Sequence, residues 1–294
     1  MRYFFSLVAL VLTCLRQPAI ASDVLTNRND NARTGLVSDE TVLSPASLRT
    51  SGLKLLFQNR VDGAVYAQPL CVSNQLVFTN GVSQGNHDLV IAATENGSVY
   101  AFDATTGTTY WHVSVLTPGD TAVTASDPNI LSKAIRPRIS ITATPVIDRN
   151  AAPHGQIFVV AMETDGHGNY DYKLHALDLA TGQDALTSVT IAASVTGNGP
   201  ATTFVAKNQL SRTALLLVKG IIYTGFASFD ERPPSSGWLI GYLESNLSQA
   251  VVFNANPNGS PPSSHEPDGS GSGIWQAGTG PSADLNGNIL PHDR

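Results

Sequence analysis

The sequence predicts an all-β fold, a β-propeller of four-stranded antiparallel blades, and three observations carry that reading. Short β-branched and apolar runs alternate with Gly, Asn and Asp turns along most of the chain. A turn motif recurs at a fixed step: Asp103 to Asp178 and Gly107 to Gly182 are both 75 positions apart, and Pro69 to Pro145 is 76. Charged residues make up only 14% of the chain against 25 glycines, which suits turn-rich pleated sheets.

In chain order, residues 1–21 read as an export signal. Arg2 supplies positive charge, Phe4 to Leu15 an apolar run, and Ala19-Ile20-Ala21 a small-residue cleavage site before Ser22. The run is broken by Arg16, Gln17 and Pro18, too early to span a bilayer, and no later segment is long and apolar enough. Thr13 before Cys14 argues against a lipoprotein signal. Cleavage leaves Cys71 as the only thiol, so stability must come from packing rather than a disulfide. Residues 22–64 form a lead segment, and residues 65–294 divide into copies at 65–140, 141–210, 211–272 and a partial 273–294.

The first copy is expected to place strands at Gln68–Ser73, Leu76–Thr79 with Asp88–Thr94, Ser98–Asp103 and Thr109–Val115. Asn96-Gly97 marks a hairpin of type I′, because both residue types tolerate positive φ. The second copy offers Thr144–Ile147, Gln156–Met162, Tyr172–Asp178 and Ala185–Ile191. In the third, Ala214–Val218, a Lys219-Gly220 turn, Ile221–Ala227, Gly237–Leu243 and Gln249–Phe253 keep the strand rhythm without the turn motif. After a Pro/Ser/Gly-rich stretch, Ile274–Gly278 opens a fourth copy, with Asp284–Ile289 as its first hairpin and Asn286-Gly287 as the turn.

The sharpest motif runs from Ala101 to Trp111 in the pattern A-x-D-x-x-T-G-x-x-x-W. Asp103 and Thr106 suit bonding of turn N–H groups, Gly107 suits positive φ, and Trp111 suits a buried place between blades with its indole N–H bonded. The second copy keeps Ala176, Asp178, Thr181 and Gly182 but has Leu186 where Trp111 stood, so its contact is expected to be smaller. This pattern resembles the tryptophan-docking repeat of the pyrroloquinoline-quinone (PQQ) dehydrogenase-like propellers, from about Val65 to Ile289, and Asn27–Gly35 is similar to the lead segment of exported bacterial members. The resemblance implies a propeller fold and, in the true dehydrogenases, PQQ beside an adjacent Cys-Cys pair and a calcium held by Glu, Asn and Asp. This chain has no Cys pair and no position matching the calcium set, so no cofactor is predicted and PQQ rests on resemblance alone.

Other chemistry is thinner. Asp165, His167, Asn169 and Asp171 alternate like calcium ligands, but an EF-hand needs Gly and Glu where Tyr170 and Ala176 stand. Seven histidines are scattered without zinc spacing, and Gly225-Phe226-Ala227-Ser228 is no nucleophile elbow. Arg28, Asp30 and Arg33 read as ties between lead segment and propeller. A net charge of -6, with Lys133, Arg136 and Arg138 as the densest basic group, excludes the footprint of a nucleic-acid binder.

The sequence therefore predicts a periplasmic or extracellular propeller with no assigned catalytic or metal residue, acting as a binding or interaction scaffold for an unidentified protein or small molecule. The rival is a quinone-dependent oxidoreductase or a subunit of one. Closed propellers need about four to eight blades, so three copies and a hairpin predict an incomplete ring that associates or is poorly soluble; Pro291 after Ile289-Leu290 fits an interrupted strand.

Overall fold

Strands follow one another as antiparallel neighbours within each sheet, several of them joined by tight turns that local residues favour. The computed structural model describes residues 22–38, 40–130, 132, 134–198, 201–229, 236–258, 272–276 and 278–291. The expected export signal, Lys133 and most of the Pro/Ser/Gly-rich stretch lie outside the described residues.

The first blade is β1 (Leu70–Thr79), β2 (Val82–Ala93), β3 (Ser98–Asp103) and β4 (Thr109–Ser114), paired in that order. Gln68–Ser73 and Leu76–Thr79 are thus one strand, irregular between Val72 and Gln75 where Asn74 takes φ 49°. Asn80 and Gly81, at φ 51° and 78°, make the type I′ turn into β2. The hairpin at Asn96-Gly97 is present with a different turn. Only Gly97 has positive φ, and its N–H donates to the Thr94 carbonyl while the Thr94 N–H donates to Ser98, so a type I turn is closed by a glycine bulge. Asp284–Asn288 repeats that arrangement with Gly287 at φ 82°.

The second blade is β5 (Val146–Asp148), β6 (Gln156–Thr164), β7 (Tyr170–Asp178) and β8 (Asp184–Thr190). The third is β9 (Leu216–Val218), β10 (Ile221–Ser228), β11 (Trp238–Leu243) and β12 (Gln249–Asn254), with Gln209–Leu210 extending it beside β10. A two-stranded hairpin, β13 (Ser282–Ala283) and β14 (Ile289–Leu290), follows. The loop between first and second blades carries its own short ladder, Val123–Thr124 on Arg138–Ile139.

Period-two alternation decides where the cores lie. Ile157, Val159 and Ala161 of β6 pack toward the first blade with Leu70, Ile91 and Trp111, whereas Phe158, Val160 and Met162 pack toward the third with Leu215, Phe226 and Trp238. Every residue of β6 is buried for that reason, and the interior consists of the spaces between sheets.

The lead segment crosses the inner strands. Val24 pairs with Cys71, Leu25 accepts from the Ile147 N–H, the Asn31 amide donates to Leu217, and Asn31 accepts from Ala283. Arg33, buried, donates to Thr26, Asn27, Leu215 and Pro281 and so ties the lead to the third blade and the last hairpin. Burial lowers its guanidinium to about 10, opposed by the Asp30 charge. Further on, Ser44 caps a helix the sequence did not announce, α1 (Pro45–Ser51), with a reciprocal Ser44–Ser47 box.

Candidate functional site

The motif residues sit at the outer turns. In the first blade the Asp103 carboxylate accepts from the N–H groups of Thr105 and Thr106 and the Thr106 hydroxyl through Oδ1, and from the Tyr110 hydroxyl through Oδ2, with His87 Nδ1 3.0 Å away. Burial raises its carboxyl, but these bonds outweigh burial and hold it at about 2. In the second blade Asp178 accepts from Ala180, Thr181 and the Thr181 hydroxyl, with His154 Nδ1 at 2.9 Å. Ala101 and Ala176 are buried in the strands leading into these turns.

Trp111 lies across from one blade to the next. Its indole N–H reaches the Leu179 carbonyl at 3.3 Å, and a Cβ on Gly182 would stand 2.5 Å from its ring. Gly182 has φ 72°, so both the backbone and the indole require glycine there. At Gly107, φ 75°, the covering ring is Phe57 of the lead segment, 2.7 Å from a would-be Cβ, and Asn59 donates to the Gly107 carbonyl. These carboxylates are consumed by turn bonds.

A polar constellation that faces a cavity lies where the segments entering the inner strands converge. Asn27, Tyr66, Gln68, Thr142, Thr144, Arg212, Gly278 and Thr279 line about 260 Å³. They come from the lead and from the approach to each copy, tied together by Gln68 N–H to the Thr144 hydroxyl, Leu215 N–H to the Thr144 carbonyl and Ala214 N–H to the Thr279 carbonyl. Asn27 is 4% exposed, and its amide donates to Gln68 while Oδ1 has no partner. Among the described residues the half-buried Arg212 side chain makes no hydrogen bond.

Behind the cavity stands Glu95, fully buried in the β2–β3 turn. Its Oε2 accepts from the Ser140 N–H at 2.8 Å and the Thr142 hydroxyl at 3.1 Å, and Oε1 has no partner. Burial pushes its carboxyl up to about 7, against the opposing effect of those bonds and the Arg212 charge. At acid pH it is neutral, and among the described residues that line the pocket Arg212 is the charged one. Sequence reasoning passed over Glu95, Arg212, Tyr66, Thr142 and Thr144; the available signal was a lone acid between the apolar end of one strand, Leu89 to Ala93, and the apolar start of the next.

The other candidates are structural. Asp165 accepts from the N–H groups of His167 and Asn169 and from the Asn169 amide, which closes a hairpin loop. Cys71 is partly buried in β1, and burial first, then Asp23 and Asp88, raise its thiol.

No family model matches the sequence, and no curated protein matches it. Solved structures do. A quinohemoprotein alcohol dehydrogenase from Pseudomonas putida HK5 superposes with a TM-score of 0.53 at 18% identity, covering 90% of this chain and 33% of that one. The quinohemoprotein alcohol dehydrogenase of Comamonas testosteroni gives 0.51 at 15% identity, covering 90% and 34%. The chain spans about a third of the length of these neighbours. No helix among the described residues is long and apolar enough to cross a membrane. Blade order, antiparallel sheets and these superpositions together give the chain the fold of the quinoprotein-type β-propeller.

Proposed function

We propose that this chain is an exported, non-catalytic binding propeller whose convergent pocket takes a small organic acid. The observation that carries the reading is Arg212. Its guanidinium has five N–H donors in a fixed fork and no hydrogen bond among the described residues, facing a pocket of hydroxyl and amide groups. A carboxylate on Arg212, with a hydroxyl or amine donating to Asn27 Oδ1, satisfies both. Thermal melts with glycolate, lactate or succinate test it. An acid at 100 times its Kd stabilises by about 2.7 kcal/mol, and Arg212→Met should abolish the shift. No shift for any acid in the parent chain would overturn the reading.

The rival, quinone-dependent oxidation, is poorly supported by the donor set. A metal-assisted quinone needs several hard oxygen ligands, yet Glu95 spends Oε2 on Ser140 and Thr142, and no three His, Cys, Asp or Glu side chains among the described residues group closely enough to hold an ion. Absorbance and dye-linked alcohol oxidation after adding PQQ and Ca²⁺ are expected to stay at background; stoichiometric quinone binding with turnover would reverse the preference.

The small-residue site Ala19-Ile20-Ala21 after the apolar run supports export, to the periplasm or outside the cell. Mass spectrometry of the secreted protein should find Ser22 at or near the N-terminus, and retained Met1 would remove this part of the proposal.

A further inference from the structure

A second cavity, about 550 Å³, lies between the rim of the first blade and the outer half of the second. One wall is six consecutive residues, Val113 to Pro118; the other comprises Lys173, His175 and Leu177 of β7 with Gly182, Gln183, Asp184 and Ser188. Val113 and Ser114, the last two residues of β4, lie on opposite faces of the strand yet both line the cavity, which therefore reaches the strand edge there; Val115 to Pro118 carry the wall on past it. That edge is open, because β4 ends the sheet. The Val115 N–H bonds inward to Gly97, and by alternation the N–H and C=O of Ser114 point outward.

The facing wall holds an unsatisfied group. His175 is 4% exposed, with Nδ1 3.4 Å from Asp184 Oδ1 and Nε2 buried without a partner. A proton on Nδ1 serves Asp184 and leaves Nε2 as an acceptor. Lys173, two positions earlier, bonds Glu163 and the Thr117 hydroxyl and keeps one of its three N–H donors. We propose that this groove binds a short extended peptide, which pairs with Ser114 at the β4 edge and donates a hydroxyl or amide side chain to His175. Residues two apart on a strand are about 6.6–6.8 Å apart, so alternate side chains of a paired peptide meet His175 and Lys173 in register. Strand addition of this kind takes affinity from the main chain and selectivity from alternate side chains.

Titrating the full chain with Ac-Val-Ser-Val-Thr-NH₂ while recording amide and imidazole NMR signals tests the site. The Ser114 amide and His175 ring should shift, with a Kd on the order of 1 mM or tighter. Replacing the hydroxyl residues of the peptide by alanine, or His175→Leu, should weaken binding several-fold to about tenfold, the loss of the one hydrogen bond gained at Nε2. His175→Gln, which keeps an acceptor, should restore most of it. Ser114→Pro removes the outward donor from an edge strand that tolerates proline, and should abolish binding with an unchanged melting temperature, which decides the matter if the buried variants fail to fold. Silence at both signals, or equal binding by Ser114→Pro, would overturn the proposal.

Discussion

The interface between the first and second blades and that between the second and third hold the same backbone by different means. At the first, Trp111 covers Gly182 and bonds Leu179, and the receiving turn is capped by Asp178 and Thr181. At the second, Leu186 stands in the place of Trp111, and the receiving turn has Leu243 and Leu247 where Asp178 and Gly182 would be. Its backbone bonds nevertheless persist: Leu247 N–H to Leu243 carbonyl and Leu243 N–H to Ser248 carbonyl match Gly182 to Asp178 and Asp178 to Gln183. Leu247 accepts φ 57° and is buried, so hydrophobic contact offsets the left-handed strain. The missing indole is replaced further in, where Phe204 meets Tyr172, Phe226 and Trp238 edge-on. Blade packing thus demands a filled gap, not one residue type.

The strongest way to break that contrast is Trp111→Ala. It should destabilise by about 3–5 kcal/mol, as large aromatic truncations in cores do. Leu186→Ala, at a partly buried site, should cost roughly half as much or less. Denaturant midpoints measure both, and equal losses would show that the indole is not the main contact of the first interface.

Glu95 gives the first interface a pH dependence that the second cannot share through the equivalent turn, whose Asp165 is exposed and bonded within its own loop. With its folded carboxyl at about 7 against an ordinary 4.5, the folded chain keeps a proton that the unfolded chain releases. Stability therefore falls as pH rises from about 4.5 to about 7, by about 3 kcal/mol, and is flat above. Glu95→Gln keeps an oxygen for Ser140 and Thr142 and should remove that slope from melts between pH 4.5 and 8. An unchanged slope would mean that Glu95 is ionised or solvated in the folded chain.

The same contrast explains what was legible in the sequence. Turns with a chemical requirement announced themselves: Asp103 and Gly107, Asp178 and Gly182, and Lys219-Gly220, whose φ values are 51° and 72°. The Asn80-Gly81 turn did not, because Val82 to Asp88 is polar and mostly exposed and lacks the alternation that marks a strand. The turn at Leu243–Leu247 was invisible because backbone bonds and burial alone sustain it. Fold class needed only repetition and period. The convergent pocket needed tertiary structure, since Asn27, Thr142 and Arg212 meet only when separate copies stack.

Gly182→Ala probes the contact from the opposite side. A Cβ there meets the Trp111 ring and the backbone is left-handed, so the cost should be about 2 kcal/mol. In the Trp111→Ala background only the backbone part should remain, about 1 kcal/mol, and that non-additivity is the signature of direct contact. Strict additivity of the two denaturant shifts would separate the residues energetically.

The smallest expected effect belongs to the second interface. Glu244 follows Leu243 in the uncapped turn and faces Asp148 at the end of β5, and its Oε1 is buried without a partner. Burial first, then the hydrogen bond to Asp148 and its charge, push the Glu244 carboxyl up to about 7. Burial and the neighbouring Asp148 disfavour ionisation of Glu244, so its proton is kept in the folded chain and lost as pH rises through about 7. The folded state again holds the extra proton, and the second interface should also weaken with rising pH. Glu244 is half-exposed and water screens the repulsion, so the change should stay below about 1 kcal/mol, under the Glu95 effect. Removing the carboxyl with Glu244→Gln, which lets the amide donate to Asp148, should flatten the melting profile slightly between pH 5 and 8 and raise the midpoint at pH 8. A flattening larger than that of Glu95→Gln would place the main pH sensitivity at the second interface and reverse the ranking of the two.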